Sequence, residues 1–292
     1  MDWHSLSEIA RQFVPRNFYG TLVAAAFGAF AGAWAAGRIQ TKRAVVAELN
    51  SVSAALMLCF SICNRFVSLR KQIVQPMHDR YVQLQQEYDE YQKALKAHRG
   101  PSALVFDFRA DLQTISAMKL PTEILERHVF EKISISGRAL AAAVDLVGAI
   151  DGLDTSIKLR NNLIEEIQKA SLPHKELLEK YLGLRTAADA IDEKFCASVD
   201  AIYRQTEDCI FFSRILADDL FEYGKKLRRR YAWKFRLGTP KLSKADWSMS
   251  EQAGLIPTTE QYAAWLKGFK KTPTKLGRLT AWIRSCYATA RG

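Results

Sequence analysis

Residues 18 to 37 read FYGTLVAAAFGAFAGAWAAG, twenty positions without a charge, and R-I-Q-T-K-R follows at once. As a helix rising about 1.5 Å per residue, the stretch covers about 30 Å, the thickness of a bilayer's hydrocarbon core. Its composition alone fits either a membrane span or a helix in a soluble core: eight of the twenty are Ala, four are Gly, and there is one Leu and one Val. The spacing is more informative. Small residues recur every fourth position at Gly20, Ala24, Gly28, Gly32 and Ala36. Within that row, Gly28-x-x-x-Gly32 is the pattern that lets two membrane helices approach backbone to backbone. Val23, Phe27, Phe30 and Trp34 fall on a different face, and Phe18, Tyr19 and Trp34 mark the two ends as interfacial aromatics do.

These features predict a transmembrane helix over 18–37 whose small-residue ridge, Gly20 to Ala36, serves helix association. The A-x-A pattern at Ala33-Trp34-Ala35 admits a cleaved signal peptide. Against it, the residues before the apolar run are many and weakly basic, and Arg38, Lys42 and Arg43 follow directly. Those three outnumber Arg11 and Arg16 on the other side, so the positive-inside rule places the C-terminal part in the cytoplasm, beneath the plasma (inner) membrane. Residues 1–17 read as an interfacial amphipathic helix. Ser5-Leu-Ser-Glu8 is a capping box, Trp3, Leu6, Ile9 and Phe13 share a face, and Pro15 ends the pattern.

Beyond the span, residues 38–99 carry one long seam. Val45, Leu49, Val52, Leu56, Cys59, Cys63, Phe66, Arg70, Ile73 and Met77 alternate spacings of four and three, the a/d pattern of a heptad, broken only by the charge of Arg70. Tyr81, Leu84, Tyr88, Tyr91 and Leu95 continue it after a slip of one residue. The slip falls beside Pro76, where a missing amide predicts a kink. Arg70 calls for a buried acidic partner or a register-setting role. His98-Arg-Gly-Pro101 stops the helix, and 100–121 reads as a linker. Residues 122–224 carry further helical periodicity from Pro121-Thr122-Glu123 onward, with candidate interruptions at Gly148 and Gly152 and a boundary at Ser171-Leu-Pro173.

No strand pattern intervenes. The fold class is all-α: a single-pass transmembrane helix, a long antiparallel helical bundle or coiled coil, and a small basic C-terminal helical module over 225–292. Pairing with a second chain along the seam is the alternative to an intramolecular bundle.

The 292 residues are 48% hydrophobic and 25% charged, which excludes both a disordered chain and a polytopic membrane protein. Five cysteines, an odd number and far apart, argue against a disulfide framework. The net charge of +11 is lopsided: residues 1–224 hold 26 Lys/Arg against 28 Asp/Glu, and residues 225–292 hold 16 against 3.

Motifs for chemistry are missing. There is no phosphate-binding Gly-x4-Gly-Lys-Ser/Thr, no His-Glu-x-x-His, no paired Glu-x-x-His and no Gly-x-Ser-x-Gly. Cys59-x-x-x-Cys63 supplies two thiols one turn apart, too few for a metal, and both lie on the seam. Asp218, Asp219 and Glu222 read as a solvated face. The sequence therefore predicts no catalytic residue, no cofactor and no metal.

The functional signal is the run from Lys225 to Arg236. Lys225, Lys226, Arg228, Arg229, Arg230, Lys234 and Arg236 alternate with Tyr231, Trp233 and Phe235. Such a segment contacts anionic lipid, with its aromatics entering the interface, or holds phosphates and stacks bases of a nucleic acid. A chain that already carries a span makes lipid the simpler partner. A second apolar-and-basic helix is expected near 274–289. The predicted role is a membrane-anchored, oligomerising helical interaction protein (an adaptor, sensor or effector) without a catalytic site, a homo-oligomer whose helices are also open to a protein partner. The alternatives are a membrane-tethered nucleic-acid binder and a membrane-perturbing effector assembled through the Gly/Ala helix. Which end of the bundle the basic run reaches depends on the number of helices before it.

Overall fold

A computed structural model gives the chain as mostly helical, 76%, with no strand among the described residues. It describes residues 18–98, 104–185, 190–235 and 240–269. The expected interfacial helix at 1–17 and the expected helix near 274–289 lie outside them.

The first helix, α1, spans Phe18–Leu69. A π-helical turn, Arg70–Val74, passes without interruption into α2, Gln75–Ala97, which has Pro76 in its first turn. This turn is the physical form of the register slip, because a π turn adds one residue to the helical repeat. The buried positions run Phe66, Arg70, Val74, Met77, Tyr81 and Leu84, so the double step of four lies at Phe66–Arg70–Val74. The slip is thus upstream of the place expected beside Met77. Val74 is fully buried in the seat expected for Ile73, which is 40% exposed.

Two further long helices follow, α4 (Arg138–Ala170) and α6 (Lys194–Phe235). α4 runs straight through Gly148 and Gly152, with no break there. Between the long helices lie short elements: α3 (Thr122–Glu126) leading into a second π turn at Arg127–Glu131, and α5 (His174–Leu182). Two single turns, α7 (Ser248–Gln252) and α8 (Ala263–Lys267), come after α6.

α6 packs along both α1 and α4. Its direction follows from who meets whom. On α1, Glu48 accepts from the Tyr223 hydroxyl, and in the π turn that continues it Arg70 pairs with Glu207; on α4, Arg138 pairs with Asp219 and Gly152 lies under Gln205. α6 is antiparallel to both partners, and α1 and α4 run in the same direction.

Two helices running the same way require a return segment, and residues 104–135 provide it, irregular as far as Pro121 and helical from Thr122 to Glu131. Phe106 sits between Tyr88 and Tyr91, and Phe108 packs edge-on to Tyr181. Asn161 then grips the backbone of Ile115 at both its N–H and its carbonyl, and the Lys119 carbonyl accepts from Arg65. Leu125, Val129 and Ile133 are buried, and the Ser134 N–H donates to Glu48. The segment expected as a linker is therefore a packed strap that runs the length of the molecule.

Arg160 holds this strap from inside. Its guanidinium is 1% exposed, donates to the carbonyls of Gln113 and Asp111, and lies over the Phe195 ring. Burial lowers its pKa, against a partial upward pull from Asp111.

The segment 240–269 folds back over α6. Trp247 packs on Phe60, Glu251 pairs with Arg214, and the Leu255 carbonyl accepts from Arg70. Tyr262 stacks on Phe211 and donates to Asp208, and Trp265 donates to Asp145.

Candidate membrane-proximal basic face

The sequence leaves α1 in two states. From Gly20 to Gly37 every residue is exposed; Phe27 and Phe30 are more than 70% exposed. A Cβ added to Gly20, Gly28, Gly32 or Gly37 would meet nothing within 4 Å. Gly20, Ala24, Gly28, Gly32 and Ala36 thus form a continuous ridge that faces no other described residue of the chain. This helix is long and apolar enough to cross a membrane by length and composition. From Val45 onward the same helix is buried, and Val45, Leu49, Val52, Leu56, Cys59, Cys63 and Phe66 are each 5% exposed or less.

Arg38, Lys42 and Arg43 lie at the junction, with the Arg38 guanidinium 5.2 Å from the Trp34 ring centroid. The C-terminal end of α6 reaches this junction. Leu227 packs in one cluster with Val45 and Leu49, and Tyr231 packs against that cluster. Because α6 is antiparallel to α1, its basic run lies at the base of the exposed apolar stretch and not at the far end of the molecule.

Along α6, Lys225, Lys226, Arg229 and Arg230 are exposed and Arg228 is half-buried. Lys225 pairs with Glu222 at 3.4 Å and lies over the Phe221 ring. Trp233, Lys234 and Phe235 fall on the last turn of α6, where the backbone alone is described, and Arg236 lies outside the described residues. Tyr231 is thus the one aromatic of the expected interleaved set with a described side chain, and it is directed at the α1 cluster.

Two residues of this region, Gly224 and Leu242, were not singled out in the sequence. Gly224 is a helix-interior glycine at which an added Cβ would lie 2.3 Å from Leu242 and 2.9 Å from Val52. Its missing side chain lets residue 242 close over α6. Leu242, Phe221, Lys225, Arg228, Arg229 and Ala232 then line a cavity of about 380 Å³. An uncharged glycine inside a helical pattern was the available clue.

Elsewhere the polar groups are structural in their surroundings. Arg70 donates to Glu207 at 2.6 Å, to the Tyr203 hydroxyl and to the Leu255 carbonyl, so the charge on the seam has its buried acid. Burial pushes the Cys59 thiol up and raises Cys63 to about 11, so both stay protonated and fill space. Among the described residues, no group of three or more His, Cys, Asp or Glu side chains is placed to hold a metal. No family model matches the chain, and neither a curated protein nor a solved structure matches it.

Proposed function

We propose that this chain is a single-pass membrane protein whose helical cytoplasmic body is held against the bilayer by a basic collar, and that it acts through helix–helix contacts without a catalytic site of its own. The observation that carries the reading is the convergence of two separate basic segments, Arg38–Arg43 and Lys225–Arg230, at the base of an apolar helix exposed on every side. A core helix of that composition would be covered by its own chain, and no described residue covers this one. Cations gathered at one end of a span are attracted to anionic headgroups, by about 1 kcal/mol each near the surface.

The long helices form an antiparallel bundle in this reading, with the heptad seam consumed by α6. Self-association is then left to the ridge of Gly20, Ala24, Gly28, Gly32 and Ala36, where close backbone approach replaces the missing side-chain bulk. The nucleic-acid alternative has less support, because Tyr231 packs on Val45 and Leu49 and is not presented for base stacking.

Alkaline extraction of membranes combined with protease protection tests the anchor. The chain should stay in the membrane pellet, with its body cleaved only from the cytoplasmic side. Recovery of the intact chain in the soluble fraction would falsify the anchor, and cleavage from the opposite side would reverse the orientation.

A further inference from the structure

The outward side of α4 changes character part-way along the helix. One line of positions, at spacings of three and four, reads Leu140, Val144, Val147, Asp151, Thr155, Lys158 and Asn162. From Asp151 onward the line is polar, as a solvent face is. Before Asp151 it is apolar, and Leu140 and Val144 are exposed, Val144 by 55%. Gly148 sits beside them in the middle of α4, where a glycine weakens a helix relative to alanine. Gly152 and Gly224, also inside helices, have Gln205 and Leu242 close over them, but a Cβ added at Gly148 would meet nothing within 4 Å. No described residue accounts for that glycine.

The chain leads its own next segment to this patch. Trp265 donates to Asp145, the neighbour of Val144, at 2.6 Å, and Phe269 packs on Trp265. The sequence then continues with Leu276, Leu279, Ile283 and Tyr287, an apolar line at spacings of three, four and four. Charge matches as well. Residues 139–157 hold Asp145, Asp151 and Asp154 and no Lys or Arg, and residues 270–292 hold six Lys/Arg and no Asp or Glu.

We propose that residues 274–289 dock as an amphipathic helix on the first half of α4, with Leu276, Leu279 and Ile283 over Leu140, Val144 and Val147. Gly148 is then the point of close approach, where the absent side chain lets the two backbones near each other. A helix over 274–289 is about 24 Å long, enough to cover the 17 Å or so from Leu140 to Asp151. The basic side chains at Lys275, Arg278 and Arg284 flank the apolar line, within reach of Asp151 and Asp154.

A bilayer is the competing cover for such a segment, and position argues against it. Trp265 packs on Phe212, which lies 11 residues along α6 from Tyr223; Tyr223 meets Glu48, 11 residues along α1 from Gly37. That sets the departure point about 33 Å from the end of the exposed apolar stretch. Leu276 follows Phe269 by seven residues, at most about 25 Å of extended chain. With a headgroup layer of about 5–7 Å, Leu276 falls short of the interface, so the whole apolar line cannot lie flat in it.

The test is hydrogen exchange of the full chain in mild detergent, and in nanodiscs with and without anionic lipid. Residues 139–150 and 274–289 should both be protected in detergent, independently of protein concentration. Leu279→Glu with Ile283→Glu leaves α4 itself unaltered and should raise exchange over 139–150 by at least about threefold. Leu140→Glu with Val144→Glu, and separately Gly148→Phe, should raise exchange over 274–289 by at least as much, with Phe212 and its neighbours protected as in the parent. The proposal is overturned if each double variant changes exchange only around its own substitutions. Protection of 274–289 that appears only with anionic lipid overturns it in favour of a membrane contact, and protection lost on dilution in favour of a second copy. The docking does not rest on the membrane-anchored reading, and the detergent arm tests it whether or not the anchor holds.

Discussion

The two halves of α1 are one unbroken helix in two different surroundings. Before Gly37 small residues line up on one face and Val23, Phe27, Phe30 and Trp34 share another; after Val45 the bulky residues form the seam and the small residues scatter. The second arrangement builds a stripe that α6 covers, and the first builds a surface that the described residues leave bare. Hydrophobicity does not separate the halves. What separates them is whether another described helix lies alongside: α6 covers the seam from Val45 onward, and no described element lies against residues 20–37.

The sharpest test is to make the same cut in each half. Phe66 is fully buried and Phe27 is 71% exposed. Phe66→Ala should destabilise the body by about 3–5 kcal/mol, through lost transfer energy and the cavity left behind. Phe27→Ala should leave chemical denaturation of the body, measured in detergent, within about 0.5 kcal/mol of the parent. Equal losses would mean that residues before Gly37 pack on the body.

A second test uses the charge on the seam. Glu207→Ala leaves the Arg70 guanidinium buried with only the Tyr203 hydroxyl and the Leu255 carbonyl, and it should cost about 3–5 kcal/mol. Arg38→Ala in the other half removes an exposed cation and should change body stability by less than about 0.5 kcal/mol. Replacing Arg70 and Glu207 together by Met and Leu should recover much of the loss, since a buried pair is costly to break and cheap to replace.

The location of the slip gives a third comparison, within one turn. Val74→Ala removes two buried methyl groups and should cost about 2 kcal/mol, while Ile73→Ala, at an exposed site, should cost under about 0.5 kcal/mol. The reverse order would place the extra residue beside Met77 and not in the π turn.

Tyr223 fastens α6 to the covered half of α1, donating to Glu48, which also holds the Ser134 N–H. Burial and the hydrogen bond to Glu48 raise the Tyr223 pKa from 10.0 to about 12. A raised folded-state pKa contributes stability that is present below pH 10 and is lost as pH climbs through 12. Tyr223→Phe should cost about 1.5 kcal/mol at neutral pH, and the gap to the parent should close across that window. A gap that persists unchanged at the top of the window would disprove the role of the hydroxyl proton.

Much of this was legible in the sequence, for a reason that also explains the rest. The seam, the helical class and the exposed ridge are periodic, and a period is visible without knowing the partner. The slip was legible as a slip, but Ile73 and Val74 are equally apolar, so spacing alone could not place it. The strap was not legible. Residues 104–121 have no period of their own, and their order comes from Arg160 and from Asn161, 46 residues away from Ile115. The cavity under Leu242 depends on Gly224, whose contribution is an absent side chain. The basic run was legible as residues and illegible as a place, because its position at the base of the exposed apolar stretch follows from α6 running antiparallel to α1.

The smallest expected effect on the body tests the bare half directly. Gly28→Leu and Gly32→Leu add bulk where nothing lies within 4 Å, so denaturation of the body should match the parent within about 0.5 kcal/mol. The same changes fill the ridge through which two copies would approach, because a close crossing needs small residues on both helices. Size measurement in mild detergent should then find the parent as an oligomer and the variants shifted toward monomer. An oligomer that survives both substitutions would move the association surface elsewhere, to Val23, Phe27 and Phe30 on the other face of the same stretch. A body destabilised by either would mean that the stretch before Gly37 folds onto its own chain, and the division of α1 into a covered and an uncovered half would fail.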